Sequence, residues 1–241
     1  DEDFERDLVT LTVMNSGYVM NTVIGTYALE LSKVRGQTGH EYYGVWLGMT
    51  RPSDPSEVMC FLQCSVAVYG PGDTPAAHGE GEDGEMAGES DLNTMLLLPP
   101  QVRTVYMECM IQVFKAEDLP VLGTFGGGCD GYVVCRIGSY EQSTPVVSNN
   151  LNPTWNTTIT LPVTLPTMND RIDFELYDRD ATRDEFIGRW GFKFSDVLVS
   201  PIYPTWVNIY GSPRDHFYTN AAEIAPCAYL GRVLMRCSAN R

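Results

Sequence analysis

Leu176-Tyr177-Asp178-Arg179-Asp180-Ala181-Thr182-Arg183-Asp184-Glu185-Phe186-Ile187-Gly188 is the stretch on which the reading of this chain turns. Just upstream, Ile172, Phe174 and Leu176 alternate with Asp173 and Glu175, the two-residue period of a half-buried strand. A second strand is predicted over 186–194. The loop between them concentrates Asp178, Asp180, Asp184 and Glu185. Asp178 and Asp180 are two apart, so extended backbone sends both to the same side. Carboxylates this close repel one another. A hard cation resolves the conflict, and calcium takes about six to eight oxygen ligands of the kind Asp and Glu supply. The alternative is a solvated acidic hairpin loop, and a D-x-D pair alone does not separate the two.

Working outward, the strand rhythm continues on both sides. Strands are predicted over 106–114, 131–137, 140–147, 155–161, 171–177, 186–194, 205–210 and 229–237, with turn residues such as Asn149-Asn150-Leu151-Asn152-Pro153 between them. Eight short strands at this spacing point to an all-β antiparallel sandwich. Only Ser195-Asp196-Val197-Leu198 suggests a helical turn. Towards the N-terminus, strands are expected over 8–13, 23–31, 43–47 and 59–69.

Residues 71–91 break the rhythm. Asp73, Glu80, Glu82, Asp83, Glu85, Glu89 and Asp91 stand among Gly and Pro with no Lys or Arg, the composition of an acidic linker. Leu96-Leu97-Leu98-Pro99-Pro100 closes it and is expected to dock on the unit that follows. The resulting domain reading is 1–70, a linker over 71–102, and 103–241.

Composition excludes several functions. A formal net charge of −15 is wrong for nucleic acid, which requires a basic surface. It also opposes simple adsorption to an anionic bilayer. No apolar run of about 18 residues exists to form a spanning helix. Seven cysteines without regular spacing, and three histidines, argue against structural zinc and fit reduced, mostly buried thiols. The chain has no G-x-S-x-G nucleophile motif, and Gly126-Gly127-Gly128 lacks the helix a phosphate loop needs, so a non-catalytic protein is expected.

The two halves of the chain are related. Val23-Ile24-Gly25-Thr26-Tyr27-Ala28-Leu29-Glu30-Leu31-Ser32-Lys33-Val34 lies over Phe186-Ile187-Gly188-Arg189-Trp190-Gly191-Phe192-Lys193-Phe194-Ser195-Asp196-Val197. Val45-Trp46-Leu47 then lies over Thr205-Trp206-Val207, and Leu62-Gln63-Cys64-Ser65 over Met235-Arg236-Cys237-Ser238. An ordered repeat of this length means two copies of one domain type. The first copy begins at the counterpart of 171–177, so residues 1–70 are expected to be the C-terminal half of a second sandwich, its other half upstream in a longer protein. In the first copy the acidic loop is replaced by Met14-Asn15-Ser16-Gly17-Tyr18-Val19-Met20-Asn21-Thr22, without a carboxylate.

The second copy resembles a C2 domain. The resemblance rests on Val113-Phe114-Lys115-Ala116-Glu117-Asp118-Leu119-Pro120, Cys129-Asp130-Gly131-Tyr132-Val133, Asn150-Leu151-Asn152-Pro153-Thr154-Trp155-Asn156, and Tyr177-Asp178-x-Asp180 with Phe186-Ile187-Gly188. Over nearly its whole length the chain resembles the ferlins, in the region from the end of the second C2 domain through the third. Ser90-Asp91-Leu92 to Leu96-Leu97-Leu98-Pro99, Val207-Asn208-Ile209-Tyr210-Gly211-Ser212-Pro213-Arg214 and Tyr229-Leu230-Gly231-Arg232-Val233-Leu234 carry that match.

The resemblance implies a tail-anchored protein of vesicle fusion and exocytosis. Its cytoplasmic C2 domains would act peripherally on anionic phospholipid at vesicle or plasma membranes, with neighbouring C2 domains as further partners. It also implies a calcium site formed by Asp130 from the first loop and by Asp178, Asp180 and Glu185, with Asp184 as a stand-in. Gly123 occupies the position of the fifth acidic ligand, so weak or partial calcium dependence is expected. Val121, Leu122 and Phe125 on the glycine-rich first loop are candidates for membrane insertion. The competing expectation is a calcium-independent scaffold for protein or interdomain contacts. The strand at 140–147 has no Lys or Arg, which disfavours phosphoinositide binding there.

Overall fold

Hydrophobic alternation becomes buried and exposed faces of strands throughout the computed structural model, which describes residues 7–18, 20–75, 78, 96–121, 128–181, 183–211 and 228–241. These fall into two compact units, the first ending at Thr104 and the second beginning at Val105.

The first unit contains β1 (Leu8–Asn15), β2 (Thr22–Glu30), the one-turn helix α1 (Leu31–Arg35), β3 (Glu41–Arg51), β4 (Asp54–Ala67) and the two-residue β5 (Leu96–Leu97). Strands β1 and β2 form one antiparallel hairpin, and β3 and β4 another. Between the hairpins, β2 and β3 share only the pair Thr26 and Thr50. The core is Tyr27, Leu29, Val34, Val45, Leu47 and Met49.

The apolar run at 96–98 departs from expectation. Leu96 and Leu97 belong to the first unit, where they pair in parallel with Trp46 and Leu47 of β3. An edge of β3 offers unpaired backbone groups there, and any short extended segment can satisfy them. The start of the acidic stretch is also tied to this unit. Asp73 accepts from the Gly70 N–H at 2.7 Å and pairs with Arg35, while the His78 ring stacks on Tyr43 with centroids 3.6 Å apart.

The second unit is an eight-stranded antiparallel β-sandwich. It runs β6 (Val105–Glu117), β7 (Gly131–Ile137), β8 (Tyr140–Ser143), β9 (Thr154–Leu165), β10 (Arg171–Asp178), β11 (Glu185–Lys193), α2 (Phe194–Val199), β12 (Ile202–Tyr210) and β13 (Tyr229–Asn240). One sheet has the order β11-β10-β7-β8 and the other β12-β13-β6-β9. Ile172, Phe174 and Leu176 from the first sheet meet Ile111, Val113 and Leu161 from the second, all nearly or wholly buried. Each such side chain contributes about 1.5–3 kcal/mol on burial, which sets the register firmly.

The repeat extends to backbone register. Val13 pairs with Gly25, then a bulge brings Met14 opposite Val23 and Asn15 opposite Thr22. Leu176 pairs with Gly188, then a bulge brings Tyr177 opposite Phe186 and Asp178 opposite Glu185. The glycines share a reason. A Cβ on Gly188 would lie 2.4 Å from Ile209 Cγ2, and one on Gly25 would lie 2.9 Å from Met49 Cβ. In each copy the glycine lets the next strand cross close by. Both copies then enter a single helical turn with a buried valine, Val34 or Val197. Among the described residues β1 and β4 have free outer edges, whereas their counterparts β10 and β13 pair with β7 and β6.

Candidate functional site

The acidic loop sits at the end of the sandwich where β10 passes into β11. Asp178 continues the inward series of Ile172, Phe174 and Leu176, so its side chain caps the core and is only 8% exposed. The bulge after Leu176 then sets Asp178 directly opposite Glu185. Like charges in that relation destabilise a hairpin. In the first unit the same two positions carry the uncharged pair Asn15 and Thr22.

Asp130 joins this end from the first loop. Its backbone N–H donates to Asp178 Oδ1 at 2.7 Å, and its carbonyl accepts from the Arg179 N–H at 3.0 Å. The Asp130 carboxylate accepts the Asn149 N–H at 2.6 Å. The Asn-Pro-x-Trp-Asn motif now has a mechanical account. The Leu151 and Pro153 carbonyls accept from Leu119 and Ala116, Asn152 Oδ1 accepts from the Asp118 N–H, and the Trp155 indole donates to the Gly131 carbonyl at 3.1 Å. That turn therefore clamps both ends of the first loop.

The electrostatics report crowding. Burial pushes the Asp178 carboxyl above its ordinary value, the Asp130 N–H pulls it back, and the charges of Asp130 and Asp180 raise it again. Burial, then Asp180 and Asp178, raise Glu185. Glu185 Oε2 is buried without a hydrogen-bond partner. The Cys129 thiol is pushed up to about 12 by burial and by the neighbouring Asp178 and Asp130. Asp130, Asp178, Asp180 and Glu185 thus form one interacting group.

Asp184 belongs to a different arrangement. Its carboxylate accepts from the Tyr132 hydroxyl, accepts the Asp180 N–H at 3.3 Å, and lies 3.8 Å from Arg179 Nε. Tyr132 is the end of an aromatic row on the outer face, paired through Tyr177 to Phe186, with successive ring centroids 5.6 Å apart. The Arg179 guanidinium lies over the Tyr132 ring at 5.3 Å. Sequence reasoning missed Tyr132 and Arg179. The available signal was the phase of Tyr132, two residues after Asp130 on a strand that pairs with β10.

As a cation site the donor set is right in kind, all carboxylate oxygen. The orphaned Glu185 Oε2 beside Asp178 and Asp180 is the observation that fits a cation. Among the described residues, no three His, Cys, Asp or Glu side chains are already gathered tightly enough to enclose one. On the first loop, Val121 is 48% exposed. Leu122, Gly123 and Phe125 lie outside the described residues.

A two-sheet, eight-stranded sandwich with acidic side chains from two loops at one end is a C2 domain, and the C2 domain family matches residues 107–209. Wider similarity extends beyond that domain. Mouse myoferlin is 24% identical over 95% of this chain, and Ferlin 2 of Tetrahymena thermophila is 28% identical over 77%. Both relatives are ferlins, and the similarity to them covers most of this chain. The chain spans 13% and 12% of the lengths of those two relatives. Among solved structures, the calcium-bound tandem C2 domains of Extended-Synaptotagmin 2 superpose with a TM-score of 0.41 at 20% identity, over 55% of this chain and 45% of that one.

Proposed function

We propose that the second unit is a non-catalytic, peripheral membrane-binding module of a vesicle-trafficking and fusion protein. It binds anionic phospholipid with weak or partial calcium dependence through Asp130, Asp178, Asp180 and Glu185. The observation that carries this reading is the cross-strand pair Asp178 and Glu185, with a buried, unpartnered oxygen on Glu185. A fold that places two carboxylates opposite one another next to a third, Asp180, accepts a cost that a cation removes. Calcium would supply positive charge that offsets the carboxylates and attracts lipid phosphate.

The chain's own residues do the rest. Backbone bonds from Asp130 to Asp178 and from Arg179 to Asp130 hold the two loops together. Asp178 and Glu185 are held by the register of β10 and β11, and Tyr132 keeps Asp184 to one side. Without a cation, the acidic loops repel an anionic bilayer; the switch is electrostatic and requires no change of fold. Exposed Val121, with Leu122 and Phe125 in the same glycine-rich segment, would add apolar contact with the bilayer.

We further propose that residues 1–70 are the C-terminal half of another C2 domain, that residues 71–102 link it to the complete domain at 103–241, and that neighbouring C2 domains are partners of both. The shared register and bulge of the two hairpins support this. In the parent protein these domains would lie on the cytoplasmic side of vesicle or plasma membranes.

Co-sedimentation with phosphatidylserine vesicles, in calcium and in chelator, tests the calcium reading. The chain should pellet in calcium, and Asp178→Asn/Asp180→Asn should abolish the calcium-dependent fraction. Pelleting that is indifferent to both chelator and substitution would overturn it. That result would favour the second reading, a calcium-independent scaffold. Gly123 in place of an acidic ligand and the commitment of the Asp130 carboxylate to the Asn149 N–H favour that alternative.

A further inference from the structure

The two units hold equivalent strands, β3 and β12, but among the described residues only β3 carries a further strand on its outer edge. Val45-Trp46-Leu47 of β3 corresponds to Thr205-Trp206-Val207 of β12. In the first unit β2 reaches β3 at Thr26 and Thr50 alone, and β5 takes the edge beyond, with Leu96 and Leu97 parallel to Trp46 and Leu47. In the second unit β12 is the last strand of its sheet, and among the described residues it pairs with β13 only. That sandwich has both its sheets complete, so the openness of this edge does not come from a missing half.

Burial follows the added strand. Val45 is 6% exposed, Leu47 is wholly buried, and Gly48 is buried as well. Their counterparts Thr205 and Asn208 are exposed, and Val207 is only half-buried. The unit with fewer strands thus has the more buried edge. Leu98 accounts for Gly48, where a Cβ would lie 2.6 Å from Leu98 Cδ2 and 3.7 Å from the Leu97 carbonyl oxygen. At β12 the Trp206 ring is held towards β13 and β6, with the Arg232 guanidinium 4.5 Å and the Lys115 ammonium 5.2 Å from its centroid. Glu117 accepts from both cations and fixes them there. The ring is thereby drawn away from the outer edge of its own strand.

We infer that the outer edge of β12 at Thr205-Trp206-Val207 is a strand-addition site for a short extended polypeptide segment with adjacent aliphatic residues, laid parallel to it. The chemistry of the occupant is that of Leu96 and Leu97, which fill the equivalent edge of β3. A strand edge presents backbone N–H and C=O groups that an extended segment satisfies. The half-buried Trp206 and Val207 give its side chains apolar surface to cover. One difference sets selectivity. Asn208 stands where Gly48 makes room for Leu98, so the third residue of a segment on β12 must be smaller than leucine. The site needs neither calcium nor lipid.

The test titrates the whole chain, in chelator and without vesicles, with a synthetic peptide of residues 91–101 carrying Leu98→Ala, and follows backbone amides by NMR. The Thr205, Trp206 and Val207 signals should shift and saturate. With peptide at about ten times its Kd, edge amides that bond only to the peptide should exchange with deuterium about tenfold more slowly. A peptide with Leu96→Asp/Leu97→Asp should leave these signals in place. The peptide that keeps Leu98 should bind the wild-type chain more weakly than the Leu98→Ala peptide, and Asn208→Gly should reverse that order. Asn208 is exposed, and a thermal melt checks that folding is retained. The inference is overturned if the Thr205, Trp206 and Val207 amides respond to neither leucine peptide in either protein, or if the aspartate peptide shifts them equally. It is also overturned if the two leucine peptides keep the same order on both proteins, or if the response is confined to Val45, Trp46 and Leu47, where the peptide would merely replace β5.

Discussion

Gly188→Ala probes the contact on which both the repeat and the site rest. The new Cβ would stand 2.4 Å from Ile209 Cγ2, 3.8 Å from the Tyr210 carbonyl oxygen and 3.9 Å from Ile209 Cβ. Carbon atoms rest about 3.5–4.0 Å apart, so the first contact is much too short. Ile209 is wholly buried in the core and cannot swing aside. Relief requires β12 to move away from β11, which loosens the packing of Ile209 between the sheets. Overpacking of this kind costs about 1–3 kcal/mol, a fall in Tm of roughly 3–12 °C for a unit of this size. Urea unfolding of Gly188→Ala, Ile209→Ala and the double variant gives the decisive cycle. Ile209→Ala alone leaves a cavity and costs about 2–5 kcal/mol. In the Gly188→Ala background it also removes the clashing methyl, so the two penalties should sum to more than the double variant loses. Strictly additive penalties, or a Gly188→Ala protein as stable as wild type, would refute the reasoning.

Three further outcomes follow from the same geometry. Asp178 and Glu185 both have raised folded-state pKa values. The folded state therefore binds their protons more tightly than the unfolded chain, and stability should fall as pH rises from the ordinary carboxyl range through the raised values. Urea midpoints across that window should show the trend and Glu185→Gln should flatten it; a midpoint that rises there in the wild type, unchanged by Glu185→Gln, would contradict it. Tyr132→Phe removes the hydroxyl that Asp184 accepts from and should cost about 1–2 kcal/mol. In that background Asp184→Asn should cost little more, which a double-mutant unfolding cycle measures. Trp155→Phe deletes the indole donor to the Gly131 carbonyl and leaves a gap beside the first loop. A loss of about 1–3 kcal/mol is expected by thermal denaturation, with retained β-sheet circular dichroism.

Local chemistry carried much of this protein. The alternation of Ile172, Phe174 and Leu176 determined a strand and its buried face, because side chains on extended backbone must alternate. The same rule over the remaining strands, with turn residues between them, determined an all-β chain, and the matched segments from Val23 and Phe186 determined the repeat. The identities of Asp178, Asp180 and Glu185 were legible as a charge conflict on one loop. Their partition was not. Asp178 faces Glu185 because a bulge after Leu176 shifts the register, and Asp184 turns to Tyr132 because β7 brings that hydroxyl alongside. Both depend on strand pairing between segments far apart in sequence, which local pattern does not encode. Leu96 and Leu97 make the same point, since their apolar character called for burial but only the open edge of β3 decided where. Sequence determined which residues carry charge or apolar surface, and tertiary structure decided which of them meet, because backbone pairing and packing, not neighbourhood in the chain, bring side chains together.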